Sequence, residues 1–456
     1  MSIFKACDIR GVYGRDLTDE IVYRIGRALG TLVGDKCVIV GGDVRVSTPS
    51  LKVQVIDGLR ASGATVLDIG IVPTPAFYFA KQHLAADAGV MVTASHNPPE
   101  FNGLKIVLGP LPITERELEE IRKLVYSRDF TDCGGSVQTA EVLASYQSFI
   151  SSLACSADGA HLYKVVVDCG NGCYSGLAPA VFRSFGYPVE ELFCTPDGNF
   201  PNRSPNSAVP QNLAALSRKV RDARAQIGVA FDGDGDRIAF IDDRGRFLLS
   251  DKAIVVLARD ILAGHPGASV VYDLKCSSVV PESITAAGGR AIPERSGHTF
   301  IRTRMITEQA VFGGEISGHY FYGELGGGDD GLYSALLLAN MLVRTGGRLS
   351  ELADAVQVYE NTPDIRVPFE GDRHAVVEQI AGAFPEERVS RLDGVKVSFS
   401  EGWGLARPSV TEPAITFRFE AESPARLRAI MDSFLEPVPE LRTPVYEAWT
   451  DSGSDE

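Results

Sequence analysis

Three times along this chain an unbroken apolar run stops at an aspartate: VIVGGD at Asp43, VVVD at Asp168 and VVYD at Asp273. Runs that are apolar on both faces, rather than alternating, read as strands buried on both sides of a sheet. After the first run, SLKVQVIDGLRASG (50–63) carries apolar residues at 51, 55, 56 and 59, the spacing of a helix face. ATVLDIG (64–70) is a strand again, followed by Pro73 and Pro75. Strand, helix, strand in that order predicts a parallel or mixed sheet with helices packed on it. The recurrence at Asp168 and Asp273 predicts three α/β units of similar build. Beyond residue 358 the character changes. VKVSFSEGWGLARPSVTEPAITFRFEAES (395–423) alternates on both sides of a turn-rich loop, and PARLRAIMDSFLEP (424–437) reads as a helix, which predicts a smaller α+β unit. The 456 residues fit such a division. The expected boundaries give units at 1–150, 151–245, 246–357 and 358–456.

With 45% hydrophobic residues the chain can fill several cores. Its longest apolar stretches, AIVVLA (253–258) and SALLLANMLV (334–343), are too short or too polar to span a bilayer. MSIFKACDIRG lacks the apolar core of a signal peptide, so a soluble, cytoplasmic protein is expected. Lys and Arg number 44 against 59 Asp and Glu, a net charge of −15. That argues against a nucleic-acid or membrane partner and leaves room for a local basic pocket that holds a small anion. The eight cysteines are expected as reduced thiols. Cys169 and Cys173 are the close pair in sequence, but no second pair or nearby histidine completes a zinc site.

Four stretches carry chemistry. VTASHNPPEFNGLK (92–105) puts Ser95, His96 and Asn97 before two prolines, with Asn102-Gly103 expected to turn the chain and return Lys105. A plain turn needs the Asn, Pro and Gly, not the Ser, His and Lys. The flanks T-A-S-H-N do not form the G-x-S-x-G nucleophile elbow. VAFDGDGDRIAF (229–240) alternates Asp232, Asp234 and Asp236 with glycines. Carboxylates so close repel unless a cation sits among them, and their hard oxygens select Mg²⁺ or Ca²⁺. An EF-hand is excluded because its sixth position is Arg237 and its twelfth Asp243, and the flanks read as strands. GGEISGHYFY (313–322) alternates Glu315, Ser317 and His319, which in an extended segment share one face. That set suits a sugar, and equally a solvent-facing strand end. ARPSVTEP (406–413) offers an Arg, two hydroxyls and turn N–H groups for an anion, or is an ordinary turn before a strand. Arg10 in CDIRGVYG and Lys275 after the third strand-end aspartate are isolated cations that suit a surface as well as a site.

TASHNP, DGDGDR, GEISGH and RPSVTEP, in this order and spread over nearly the whole chain, resemble the α-D-phosphohexomutase superfamily, within it the phosphomannomutase/phosphoglucomutase group. The resemblance implies four domains around a central cleft, three related α/β units and a distinct fourth. It implies a phosphohexomutase that interconverts hexose 1-phosphate and hexose 6-phosphate through a phosphoserine and a hexose 1,6-bisphosphate. By the same resemblance Ser95 carries the phosphoryl group. Asp232, Asp234 and Asp236 hold Mg²⁺, with the phosphoserine at Ser95 adding an oxygen. Glu315 and Ser317 read sugar hydroxyls, and Arg407, Ser409 and Thr411 clamp the phosphate that is not reacting. Lys105, His319 and Arg10 lie near the transferring proton and phosphate, and Lys275 and His298 line the cleft.

The chemistry adds that His96 and Asn97 orient the serine or touch its phosphate, and that Arg237 and Lys105 stabilise the spreading charge. Lys105 or His319 must be neutral to accept the hydroxyl proton, so a lowered pKa is expected for Lys105. Hexose phosphates are the expected partners of a monomer or homodimer. Val410 stands where the group usually has Asn or Gly, and YGELGGGDDG is richer in glycine than the group. The rival readings are a phosphoglucosamine mutase, from which Ile316 in GEISGH departs mildly, a Mg²⁺-dependent sugar-phosphate phosphatase, and an inactive sugar-phosphate binder.

Overall fold

The computed structural model of the protein describes residues 3–154, 162–409 and 413–452. The apolar runs become central strands. In the first sheet the spatial order is Ile9–Val12, Phe101–Leu108, Ala88–Val92, Cys37–Gly42, Thr65–Ile71 and Ser136–Thr139. Cys37–Gly42 is parallel to its neighbours Ala88–Val92 and Thr65–Ile71, with Thr48–Ala61 as the crossover helix. Ser47 and Pro49 start that helix earlier than the apolar spacing marks it, because proline suits the first turn.

The second sheet places Val165–Asp168 between Ile227–Phe231 and Val189–Leu192, and it extends through Ile238–Asp242 to the short strand Phe247–Leu248. In the third, Ser269–Asp273 runs parallel to Arg290–Glu294 and Phe312–Gly314, with Tyr320–Tyr322 and Gly328–Asp329 completing it. The fourth sheet is antiparallel, built around Ala414–Ala421 and Gly402–Pro408, with helices Arg373–Gly382 and Pro424–Leu435 packed into its own core. Three α/β units and an α+β unit thus stand as expected. AIVVLA and SALLLANMLV lie in helices Ser250–Gly264 and Gly331–Thr345, and among the described residues no helix is long and apolar enough to cross a membrane.

The strand-end aspartates do the same work in each α/β unit. Oδ1 of Asp43, Asp168 and Asp273 accepts the backbone N–H two residues on, from Arg45, Gly170 and Lys275 at 3.0, 2.8 and 3.0 Å. This Asx turn swings the chain off the end of the strand. In the first two units the other oxygen meets a buried arginine, Arg45 Nε at 3.0 Å from Asp43 and Arg203 Nε at 2.9 Å from Asp168. In the third unit Ser296 donates to Oδ1 of Asp273 at 2.6 Å, and Oδ2 has no hydrogen-bond partner among the described residues.

A buried node joins helix Leu143–Leu153, the turn after Val165–Asp168 and the start of helix Gly331–Thr345. The Tyr146 and Tyr174 hydroxyls lie 2.6 Å apart and 2.7 and 3.0 Å from the two carboxylate oxygens of Asp330, which also caps helix Gly331–Thr345.

Candidate active site

The serine loop is a hairpin connection. Strands Ala88–Val92 and Phe101–Leu108 are antiparallel with Met91 opposite Lys105, so Lys105 returns beside the loop. Asn102 and Gly103 do not turn the chain. They pair in strand with Gly11 and Arg10, and the turn is made by 95–100. Asn102 spends its side chain on Ser47 Oγ and Thr48 Oγ1, and a Cβ at Gly103 would stand 2.4 Å from Ile9 O, so glycine is there for close approach of two strands.

Arg45 holds the loop. Fully buried, it donates to the carbonyls of Ser95, Asn97, Pro98 and Phe101 at 2.8, 2.6, 2.6 and 3.0 Å, while Asp43 balances its charge. Ser95 is thereby fixed at φ 49, in the left-handed region that L-residues seldom occupy, with its N–H on Thr93 Oγ1. The metal loop has the matching device: Arg203 donates to Phe231 O at 2.7 Å, one residue before Asp232.

The two loops meet. Ser95 Oγ donates to Asp232 Oδ2 at 2.7 Å. Thr74 and Thr93 donate to Asp234 Oδ2 at 2.7 and 3.1 Å. Asp232, Asp234 and Asp236 are buried, with ligand oxygens within 4.8 Å of one another, and Oδ1 of both Asp234 and Asp236 is buried without a hydrogen-bond partner. Orphaned carboxylate oxygens in a closed cluster fit a hard divalent cation. Burial, then Asp234 and Asp236, push the Asp232 carboxyl well above its ordinary range. A Cβ at Gly233 would lie 2.5 Å from Ser95 O. Gly233→Ala is therefore expected to separate the loops and lower turnover at least about tenfold with the fold retained, since outer support of a metal site carries effects of that size. Steady-state kinetics beside circular dichroism checks it.

Lys105 departs from its expectation. Burial alone lowers its pKa, but contacts with Asp234 Oδ2 at 2.8 Å and with Asp236 Oδ2 outweigh that and hold it well above the usual lysine value. The direction is opposite to the lowered pKa expected of it.

Around this centre stand the other predicted groups. Arg237 Nε donates to His319 Nε2 at 2.8 Å, and His319 Nδ1 lies 2.6 Å from Asp329 Oδ2, so Asp329 fixes the tautomer with its proton on Nδ1. Burial opposes charge on His319, yet Asp236 and the Asp329 hydrogen bond raise its pKa above the imidazole value. His96, 3.4 Å from Ser95 Oγ, and His298, stacked 5.9 Å from His319, are held well below it by burial and by neighbouring cations. Arg10 grips Asn97 Oδ1 at 2.6 Å and Asp8 at 2.5 Å, leaving its buried Nε without a hydrogen-bond partner.

Glu315, Ser317 and His319 do not lie in an extended strand. The segment is a turn closed by Glu315 N–H on His319 O and Gly318 N–H on Glu315 O, between strands Phe312–Gly314 and Tyr320–Tyr322. Glu315 Oε2 and Ser317 Oγ are buried without hydrogen-bond partners, and burial raises the Glu315 pKa. The Gly318 carbonyl ties the turn to the strand that follows the metal loop, accepting from Ile238 N–H at 3.0 Å. Lys275 and Arg407 are each held by a carboxylate of the fourth unit, Asp364 at 2.9 Å and Asp393 at 3.2 Å. The Ser409 N–H bonds Ala414 O. Thr411 and Val410 lie outside the described residues.

Models of the phosphoglucomutase/phosphomannomutase family match in four consecutive pieces: α/β/α domain I at 1–132, II at 144–245, III at 249–359 and the C-terminal domain at 365–436. The chain belongs to the phosphoglucomutase/phosphomannomutase family. It is 38% identical over 454 residues to the Pseudomonas putida phosphomannomutase/phosphoglucomutase, covering 97% of each chain. It is 36% identical over 457 residues to a phosphoglucomutase of Neisseria gonorrhoeae, covering 97% of this chain and 98% of that one. A solved structure of a phosphoglucomutase/phosphomannomutase family protein from Burkholderia thailandensis superposes with a TM-score of 0.89 at 34% identity, over 97% of this chain and 98% of that one.

Sequence reasoning missed Arg45, Arg203, Thr74, Thr93 and Asp329. For Arg45 a local signal exists, the Asp-Val-Arg that closes the first strand. Thr93 lies within the serine stretch itself; Thr74, Arg203 and Asp329 are brought to the site by the fold.

Proposed function

We propose that the chain interconverts the 1- and 6-phosphates of mannose and glucose, with Ser95 as the phosphoryl carrier. The observation that carries this reading is Ser95 Oγ at 2.7 Å from Asp232, inside a buried set of three aspartates with Lys105 beside them. In the charged enzyme the Ser95 Oγ–P bond breaks as a sugar hydroxyl oxygen bonds to phosphorus, giving a hexose 1,6-bisphosphate. That intermediate turns over, and its other phosphate returns to Ser95. Mg²⁺ held by Asp232, Asp234, Asp236 and the phosphoserine oxygen supplies Lewis-acid stabilisation of the phosphoryl charge. Lys105 and Arg237 face the same charge. Arg237 turning from His319 to that charge frees Nε2 to take the hydroxyl proton, with Asp329 fixing the ring from behind. Glu315 and Ser317 accept and donate to sugar hydroxyls with the polar atoms the turn leaves unpaired. Lys275 and Arg407 leave Asp364 and Asp393 for the distal phosphate, with Ser409 and Thr411 beside them, so that either end of the sugar can be clamped while the other reacts.

The test is a coupled assay with Mg²⁺ and a trace of glucose 1,6-bisphosphate, on mannose 1-phosphate, glucose 1-phosphate and glucosamine 1-phosphate in parallel. Turnover of the first two is expected, with chelation of Mg²⁺ lowering it at least about a hundredfold and Mg²⁺ restoring it. Preference for the amino sugar would make the chain a phosphoglucosamine mutase. Free phosphate released faster than isomer would make it a phosphatase.

A further inference from the structure

Cys169 and Cys173, close in sequence, do not pair in space; Cys169 faces Cys194. Their sulfurs are 3.1 Å apart, and neither joins the chemistry above. Backbone bonds hold them there. Cys169 N–H donates to Leu192 O at 3.2 Å and Asn171 N–H to Phe193 O at 2.8 Å, while Asn171 Nδ2 reaches Thr195 O at 2.8 Å. Asn171 and Phe193 both sit at positive φ, 63 and 52, which brings the two segments past the end of their parallel strands side by side. Cys169 is buried and Cys194 half-buried, so one sulfur is open to a small reagent and the other waits behind it.

The pair underlies the metal loop. Cys169 opens the turn that leads to Cys173, whose N–H donates to Gly233 O at 3.0 Å, between Asp232 and Asp234. Asp168, one residue before Cys169, anchors the Arg203 that fixes Phe231 O. A disulfide needs the sulfurs at about 2.05 Å, so closing it must shift the 169–173 turn, which holds Gly233 O, or the 193–195 segment bonded to that turn.

We propose that Cys169 and Cys194 form a reversible dithiol–disulfide site, oxidised by hydroperoxides, that loosens the metal loop and lowers turnover. In the first step the Cys194 thiolate attacks a peroxide oxygen. An S–O bond forms, the O–O bond breaks, and the departing alkoxide or hydroxide is protonated to alcohol or water. Cys194 is left as a sulfenic acid. Cys169 then attacks the Cys194 sulfur, the S–S bond forms, the S–O bond breaks, and the hydroxide leaves as water with the Cys169 proton. Two thiols and one hydroperoxide give one disulfide, one alcohol or water, and one further water. The order of attack follows the thiols' acidity: the Cys169 hydrogen bond lowers the Cys194 pKa, and burial holds that of Cys169 well above the ordinary thiol value.

The consequence for turnover rests on the mutase reading; the linkage and the metal affinity do not. Full-length protein is treated with hydrogen peroxide, quenched with catalase, and mapped by non-reducing peptide mass spectrometry, with Mg²⁺ affinity measured by calorimetry and turnover by the coupled assay. The expected result is a Cys169–Cys194 linked peptide, Mg²⁺ affinity reduced about tenfold, turnover reduced with it, and all three reversed by dithiothreitol. Cys194→Ser and, separately, Cys194→Ala keep untreated affinity and turnover and lose the response to peroxide. Absence of the linked peptide overturns the proposal. So does a linked protein with unchanged Mg²⁺ affinity, or a peroxide response that persists in both variants. Loss of mutase turnover from untreated protein would instead count against the function proposed above, and the linkage and affinity would still decide this site.

Discussion

Ser95→Ala is expected to lower hexose-phosphate turnover at least about a thousandfold while leaving the fold intact. Removing a nucleophile that forms a covalent intermediate costs factors of this order or more, because no other group offers the reacting atom at the same place. The side chain gives up little structure: its hydroxyl donates to Asp232 and lies 3.4 Å from His96, while Arg45 holds the backbone through the carbonyls. Two readouts separate carrier from scaffold. Intact mass after incubation with glucose 1,6-bisphosphate should show phosphorylation of the native chain and none of the variant. Thermal unfolding should be nearly superimposable. A variant that turns over within tenfold of the native protein, or that still takes up phosphate, would place the carrier elsewhere.

Arg45→Met is expected to have the largest effect on stability, about 3–5 kcal/mol, read as a shift in the urea transition. The arginine has no exposed surface to lose, so the effect is not one of solvent contact. Methionine would leave the buried Asp43 carboxylate without its counter-charge. It would also leave the carbonyls of Ser95, Asn97, Pro98 and Phe101 without this donor. Turnover should fall as well, because Ser95 loses what holds it at positive φ. Asp43→Asn combined with Arg45→Met should recover part of the stability, since it removes the orphaned charge, but not the activity. A single variant within about 1 kcal/mol of the native protein would show that the loop is held by other contacts.

The chemistry-bearing groups were legible because they are local. Ser95 with His96 and Asn97, the three aspartates, and Glu315 with Ser317 and His319 each come from one short stretch, and the fold brings these stretches to one centre. What was read wrongly was geometry within the stretches. Asn102-Gly103 looks like a turn, yet tertiary pairing with Gly11 and Arg10 makes it strand. Alternation at 315–319 looks like one face of a strand, yet Gly318 at φ 91 closes it into a turn. A lowered pKa is the expectation for Lys105 as a general base, through desolvation or nearby cations, and the burial alone does act in that direction. The two carboxylates it meets come from far along the chain and reverse the sign.

The sequence by itself determined the alternation of strand and helix in three units, the change of character in the fourth, and the residues able to do chemistry. Periodicity and short motifs record those directly, because each depends on neighbours in the chain. Only the tertiary structure decided which side chains hold the site in place. Thr74 meets Asp234 across 160 positions and Asp329 faces a histidine in the turn before strand Tyr320–Tyr322, while Arg45 and Arg203 become structural only when burial removes water from them. A buried charge and a surface charge are the same letter in a sequence. What separates them is the desolvation that a partner must offset, and the partner is supplied by the fold.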